Sequence, residues 1–97
     1  TVDLGDIENV VIAHFGVTSN DLHGKSRERT IANARQMCMY LARHLTQHSL
    51  KEIGTFFGGK NHSTVVFATQ KVARQMQDNL DDKVLVQQLE RQLTQQG

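Results

Sequence analysis

Apolar side chains recur at steps of three and four positions along most of this chain, and the alternation that marks β-strands is absent. The longest stripe predicts a helix over residues 30–46, and it consists of Ile31, Ala34, Cys38, Leu41 and Leu45. Further stripes predict helices over residues 4–15, 50–57 and 62–77, with a short helical turn over residues 18–22. With no proline in the chain, the pattern predicts an all-α domain of five to six helices.

Polar residues at the ends of these stripes predict where several helices begin and end. Asp3 is expected to cap the first helix, and Gly16 to end it. Ser49 and Glu52 have the spacing of a capping box, which satisfies exposed amides at the start of the short helix predicted over residues 50–57. Asp81 is expected to cap a last helix, whose apolar positions are Val84, Val86, Leu89 and Leu93.

The segment GGKNHSTVV, Gly58 to Val66, joins two of the predicted helices by a short glycine turn. This arrangement is typical of a helix-turn-helix, whose second helix contacts base edges with its N-terminal residues. The four residues at that helix start are short and polar: Asn61, His62, Ser63 and Thr64. An Asn amide can donate to and accept from adenine, and a Thr methyl can contact a thymine methyl. Capping is the alternative role for Asn61 or His62, but a cap requires only one side chain.

Charge is distributed unevenly along the 97 residues, although the formal net charge is only +1. Residues 23–77 contain nine Lys and Arg against two acids, a net charge of +7, whereas both flanking segments are acidic. A polyanion is the natural partner of the middle segment. A chain of this length fits a single domain over residues 1–97, a single cysteine forms no internal disulfide, and no apolar run approaches membrane-spanning length. We expect a cytoplasmic domain, and the initial Thr in place of Met indicates a fragment of a longer protein.

Two stretches, LHGKSRERTIANARQMCMYLARHLT and HSLKEIGTFFGGKNHSTVVFATQKV, together resemble the C-terminal DNA-binding domain of the bacterial chromosomal replication initiator DnaA. The resemblance implies an all-helical, Trp-repressor-like domain that binds double-stranded DnaA boxes of the TTATNCACA type at the replication origin. It also implies a nucleoid-associated bacterial protein with an AAA+ ATPase domain upstream. ATP and Mg would belong to that upstream domain, as would oligomerisation, so this domain is expected to be a monomer without a cofactor.

The resemblance also implies roles for individual residues. The base-contacting positions of the major groove fall on Asn61, His62, Ser63 and Thr64. The minor-groove arginine falls on Arg27, with Lys25 beside it and Arg29 as a substitute. Phosphate-contacting positions fall on Arg35, Gln36, Thr46, Ser49, Lys60 and Lys71.

Three positions depart from GGRDHTTV, the family's common form of the signature. Lys60 replaces an arginine and substitutes a point charge for a planar fork. Asn61 replaces an aspartate and adds a donor, while Ser63 replaces a threonine and loses a methyl group. These departures predict an altered base preference within the box rather than a loss of binding.

Two other function classes are alternatives. A transposase or transcription regulator could contain a similar helix-turn-helix, and a protein-interaction domain could use the last helix and the basic middle segment. Gly24–Ser26 lacks the upstream glycine and strand of a phosphate-binding P-loop, and the pair His44 and His48 lacks a third metal ligand. We find no catalytic site, and interpret the following as packing residues: Met37, Cys38, Met39, Phe56 and Phe67.

Overall fold

Six α-helices form the fold in the computed structural model, which describes residues 1–95. In chain order they are α1 Leu4–Phe15, α2 Ser19–His23, α3 Arg29–Leu45, α4 Leu50–Phe56, α5 His62–Asp78 and α6 Leu80–Thr94. No strand occurs among the described residues. The all-α prediction is therefore confirmed.

Side chains at the helix starts explain most of these boundaries. Asp3 accepts a hydrogen bond from the amide of Asp6 at 2.9 Å, and the carboxylate of Asp6 accepts one from the amide of Asp3. Ser49 and Glu52 form the same reciprocal pair at the start of α4, as their spacing predicts. Each pair satisfies amides that a helix start leaves without an intrahelical partner.

The helix α3 occupies the centre of the domain, where it packs chiefly against α5 on one side and α1 on the other. Eight consecutive or near-consecutive positions of α3 are buried, from Ala34 to Ala42. The aliphatic side chains of α1, α4, α5 and α6 close the core around it, with Ile7, Ile53, Val65 and Val86 fully buried. Because both faces of α3 are covered, its surface is buried well beyond one apolar stripe.

The structure corrects two predictions about α6. Asn79 caps this helix, and its Oδ1 accepts from the amides of Asp81 and Asp82 at 2.8 and 3.3 Å. Asp81 therefore lies within the first turn, where a carboxylate is favoured by the helix dipole. Val84 is 51% exposed and is not part of the buried stripe. The buried Val86 follows it by two positions, a rotation of about 200° that places the two side chains on different sides of the helix.

Phe67, on α5, also has surroundings that differ from the prediction. It was expected to pack in the core, yet 59% of its surface is exposed. The buried positions of α5 are Val65, Ala68 and Val72. Phe67 lies outside the sector that these three define, because one residue corresponds to about 100° of helix rotation.

Candidate nucleic-acid interface

The turn between α4 and α5 depends on two glycines with left-handed backbone. Gly58 has φ 97° and Gly59 has φ 69°, conformations that side chains with a Cβ rarely adopt. The turn also packs directly against α4, since the amide of Lys60 donates to the carbonyl of Gly54 at 2.8 Å. A Cβ on Gly54 would lie 2.2 Å from the carbonyl oxygen of Lys60. The angle between α4 and α5 is thus set by direct backbone contact.

The polar start of α5 projects from the domain, and all four residues Asn61 to Thr64 are exposed. Asn61 is the cap of α5, the alternative role that its position suggested. Its Oδ1 accepts from both the amide and the hydroxyl of Thr64, each at 3.0 Å. Since an amide oxygen has two lone pairs, Asn61 retains only its Nδ2 donor for other partners. A bidentate contact to adenine would require the cap to open.

A basic loop, residues 24–28, connects α2 to α3 and contains the exposed Lys25 and Arg27. Arg35 anchors both this loop and the end of α2. Its Nε donates to the carbonyl of Leu22 at 3.0 Å, its Nη1 to that of Ser26 at 3.2 Å, and its Nη2 to that of Asp21 at 2.8 Å. Arg35 is only 8% exposed, and burial is the main cause that lowers the pKa of its guanidinium. Three of the five guanidinium N–H donors are therefore engaged within the protein, and the phosphate contact that the resemblance implies for Arg35 stays a prediction.

Lys60 joins the basic loop to the turn. Its Nζ donates to the carbonyl of Gly24 at 3.1 Å. Beside it, Gly58 approaches α2 so closely that a Cβ would lie 2.6 Å from the carbonyl oxygen of His23. The basic loop and the start of α5 therefore lie side by side on one face of the domain.

Positive charges are crowded on this face. Desolvation, followed by repulsion from Arg35 and Lys25, lowers the pKa of the Lys60 ammonium. An anion bound nearby would relieve that repulsion. A depression between the basic loop and the middle of α5 is also cationic, and its lining residues are Arg27, Arg29, Ala32, Asn33, Lys71 and Gln75.

Three residues expected to contact phosphate, Gln36, Thr46 and Ser49, are either half-buried or hydrogen-bonded within the protein. Gln36 is half-buried and lines a small depression that includes Lys60. The hydroxyl of Thr46 donates to the carbonyl of Ala42 at 2.6 Å and accepts from the amide of His48 at 3.2 Å. The hydroxyl of Ser49 accepts from the amide of Glu52, and the Glu52 carboxylate occupies the amide of Ser49. Thr46 and Ser49 thus take part in helix ends, at the opposite end of α3 from the basic loop.

The remaining sequence candidates lie outside this face. Within residues 1–95 no group of three or more His, Cys, Asp or Glu side chains is arranged to hold a metal ion. His48 lies 3.7 Å from the Glu52 carboxylate, and Cys38 is fully buried in α3. In the described part of the chain no helix is long and apolar enough to cross a membrane.

Comparison with known proteins identifies the family. Residues 4–72 match the family described as "Bacterial dnaA protein helix-turn-helix". The chain belongs to this DnaA family. It is 39% identical over 90 residues to the chromosomal replication initiator protein DnaA of Chlorobaculum tepidum, covering 93% of this chain and 18% of that protein. The DnaA of Psychromonas ingrahamii is 44% identical over 81 residues, covering 84% of this chain and 17% of that protein. That of Lactobacillus delbrueckii subsp. bulgaricus is 42% identical over 92 residues, covering 95% and 20%.

This DnaA-type domain therefore spans about a fifth of the length of the curated relatives it matches. The family match covers α1 to α4 and most of α5, which include the basic loop and the helix-turn-helix. The resemblance stated from the quoted motifs is confirmed at the level of the family. The family match therefore excludes the alternative that the domain comes from a transposase or an unrelated transcription regulator.

Sequence reasoning missed two features of this face. The first is the set of backbone carbonyls that accept from Arg35 and Lys60, which no residue pattern could indicate because every residue has a carbonyl. The second is the exposure of Phe67. The sequence did contain a signal for this exposure. Phe67 follows Ser63 by four residues, and residues at this spacing lie on the same side of a helix, which here is the exposed side.

Proposed function

We propose that this domain binds double-stranded DnaA boxes of the TTATNCACA type at a bacterial replication origin and so serves the initiation of DNA replication. The start of α5 enters the major groove, and the basic loop enters the adjacent minor groove. The observation that carries this proposal is the contact between Lys60 Nζ and the Gly24 carbonyl, which keeps the two elements on one face. An α-helix fits the major groove of B-DNA, and basic arms are common minor-groove additions to such domains.

Within this proposal the exposed residues have distinct roles. His62, Ser63 and the Thr64 methyl contact base edges, while Asn61 contributes one donor from Nδ2. Arg27, with Lys25 beside it, contacts the minor groove. The phosphate contacts are made by Lys71, Gln36, Thr46, Ser49 and Lys60, and Arg35 acts mainly by holding the basic loop.

We further propose that the domain is the C-terminal part of a longer initiator. The length of the curated relatives supports this, because the match covers only about a fifth of each. An upstream AAA+ domain would then bind ATP and Mg and oligomerise, whereas this domain has no catalytic role and is a monomer. Such an initiator acts in the bacterial cytoplasm, at the nucleoid.

A titration of this domain against a duplex DnaA box and a scrambled duplex of equal length tests the proposal directly. We expect clearly tighter binding to the box. Affinity for the box should fall by about a thousandfold or more between roughly 50 and 200 mM salt if about six phosphates are contacted. Equal affinity for the two duplexes would refute sequence-specific binding. A weak salt dependence would favour a protein-interaction role for the basic face.

Single substitutions separate base contacts from phosphate contacts. His62→Ala and Thr64→Ala should reduce the preference for the box over the scrambled duplex. Lys71→Ala should weaken both duplexes alike and lower the salt slope by about one. Lys83→Ala, on α6, is a matched control that should leave binding unchanged. If Lys71→Ala altered the preference and His62→Ala did not, the assigned roles would be reversed.

The substitution Asn61→Asp tests the donor at the helix cap. An aspartate retains the cap, because its carboxylate accepts from the Thr64 amide, but it replaces the free donor by an acceptor. We expect the helix to remain equally stable and the ranking of box variants to change at one base pair. An unchanged ranking would show that Asn61 is a cap without a base contact.

A further inference from the structure

Phe67 is an exposed aromatic residue for which the roles assigned above provide no partner. Among residues 1–95 it is one of three large apolar side chains that are more than half exposed, at 59%. The other two, Leu80 and Val84, lie on α6. Phe67 alone of the three lies on α5, the helix whose start is proposed to contact bases.

Its position along α5 continues the base-contacting face. Phe67 follows Ser63 by four residues and Thr64 by three, so the three side chains lie on the same side of the helix. The step from Ser63 to Phe67 is about 6 Å along the helix axis. Successive bases of one strand are about 3.4 Å apart, so with α5 in the major groove as proposed this step corresponds to one to two base pairs.

The Phe67 ring offers an apolar surface, and the residues around it include the cations Lys60, Lys71 and Arg74. It lines one depression with Gln70, Lys71 and Arg74, and a second that includes Lys60 and Thr64. A suitable partner therefore presents a small apolar group flanked by negative charges. The thymine C5-methyl is the apolar group of the major groove, and phosphates flank it on both sides.

We propose that the Phe67 ring packs against the C5-methyl of a thymine in the major groove, which makes Phe67 a further determinant of base preference. The inference rests on the proposed DNA binding. The contact extends the base-contacting face of α5 by one helical turn. It predicts a preference for thymine over cytosine at that position, and also over uracil, which lacks only the C5-methyl group.

Replacing single thymines of the box by uracil tests this contact, because the exchange removes only the methyl group. For the unmodified protein we expect one such exchange, at the thymine facing Phe67, to weaken binding about three- to fivefold, the effect of one buried methyl. In Phe67→Ala this sensitivity should disappear, while the sensitivity at the thymine facing Thr64 remains. Phe67→Leu, which keeps an apolar side chain, should retain part of it.

Leu80→Ala is the matched control, because it also removes an exposed apolar side chain, 72% exposed, but from the start of α6. We expect it to bind all duplexes as the unmodified protein does. If Phe67→Ala retained the full uracil sensitivity at every position, or weakened every duplex equally, the proposed methyl contact would be wrong. A change in self-association of the free protein with unchanged uracil sensitivity would likewise overturn it.

These outcomes are distinct from a failure of the proposed function. If the unmodified protein did not prefer the box to the scrambled duplex, DNA recognition itself would be refuted, and no uracil effect would be expected at any position. A preference for the box without any Phe67-dependent uracil effect would refute only the inference about Phe67.

Discussion

Replacing Arg35 by alanine distinguishes a residue that holds the basic loop from one that binds phosphate directly. The guanidinium donates to three backbone carbonyls of residues 21–26, at distances of 2.8 to 3.2 Å. A hydrogen bond that involves a charged group contributes about 1.5–3 kcal/mol. The three are not additive, and a loosened loop would regain water, so we expect Arg35→Ala to lower the free energy of unfolding by about 2–4 kcal/mol.

Urea denaturation measures this effect. A small domain unfolds with an m-value of about 1–3 kcal/mol per molar urea, so the midpoint should fall by on the order of 1–2 M. Amide hydrogen exchange in residues 22–28 should accelerate more than in α6, because the loop loses its anchor. Arg35→Lys should not restore stability, since an ammonium group lacks the planar fork that reaches three carbonyls.

Arg43→Ala is the matched control on the same helix, because Arg43 is exposed. Its free energy of unfolding should change by less than about 0.5 kcal/mol. A purely structural role for Arg35 would be refuted if Arg35→Ala unfolded like the unmodified protein and lost affinity for the box and the scrambled duplex equally. Arg35 would then be a phosphate contact, as the family resemblance alone implies.

Three further predictions concern packing, a thiol and a carboxylate. Gly54→Ala should destabilise the domain by about 1–3 kcal/mol in thermal unfolding, because the new Cβ would lie 2.2 Å from the Lys60 carbonyl; an unchanged melting temperature would contradict this. Cys38 is fully buried, and burial raises the pKa of its thiol. A thiol reagent should therefore react with Cys38 at neutral pH only as urea unfolds the protein. Equal reaction rates with and without urea would contradict this protection. Hydrogen bonds from Ser49 lower the pKa of the Glu52 carboxyl, so its contribution to stability is present above the ordinary pKa of 4.5 and is lost as the pH falls through the lowered value. Glu52→Gln should reduce the acid dependence of the unfolding midpoint, and an identical pH profile would exclude this role for the carboxylate.

Helix boundaries were largely predictable because their causes are local. The cap of α1 and the capping box of α4 depend on side chains three residues apart, a spacing that can be read directly from the sequence. The start of α6 was predicted two residues late for a local reason as well. Asn79 and Asp81, two positions apart, are both residue types that cap helices, and in the structure the cap is Asn79.

The candidate site was predictable in its residue types but not in the partners of those residues. The exposed helix start and the basic loop follow from the motif, and the structure places both on one face. Arg35 donates to backbone carbonyls of residues 21–26 and Asn61 accepts from Thr64, and the motif indicated neither partner. Their contacts with DNA stay predictions. Backbone carbonyls carry no sequence signal, so contacts to them emerge only when distant segments fold together.

The amino-acid sequence by itself determined the helical periodicity, the glycine turn, the basic middle segment and the family motif, because each depends on residues that are close along the chain. Only the tertiary structure decided that Lys60 binds the basic loop and that Arg35 binds both this loop and the end of α2. Lys60 and Gly24 are 36 positions apart along the chain, and residue spacing cannot establish such a contact. It arises because α3 lies between α1 and α5, and this packing brings the loop before α3 against the turn before α5.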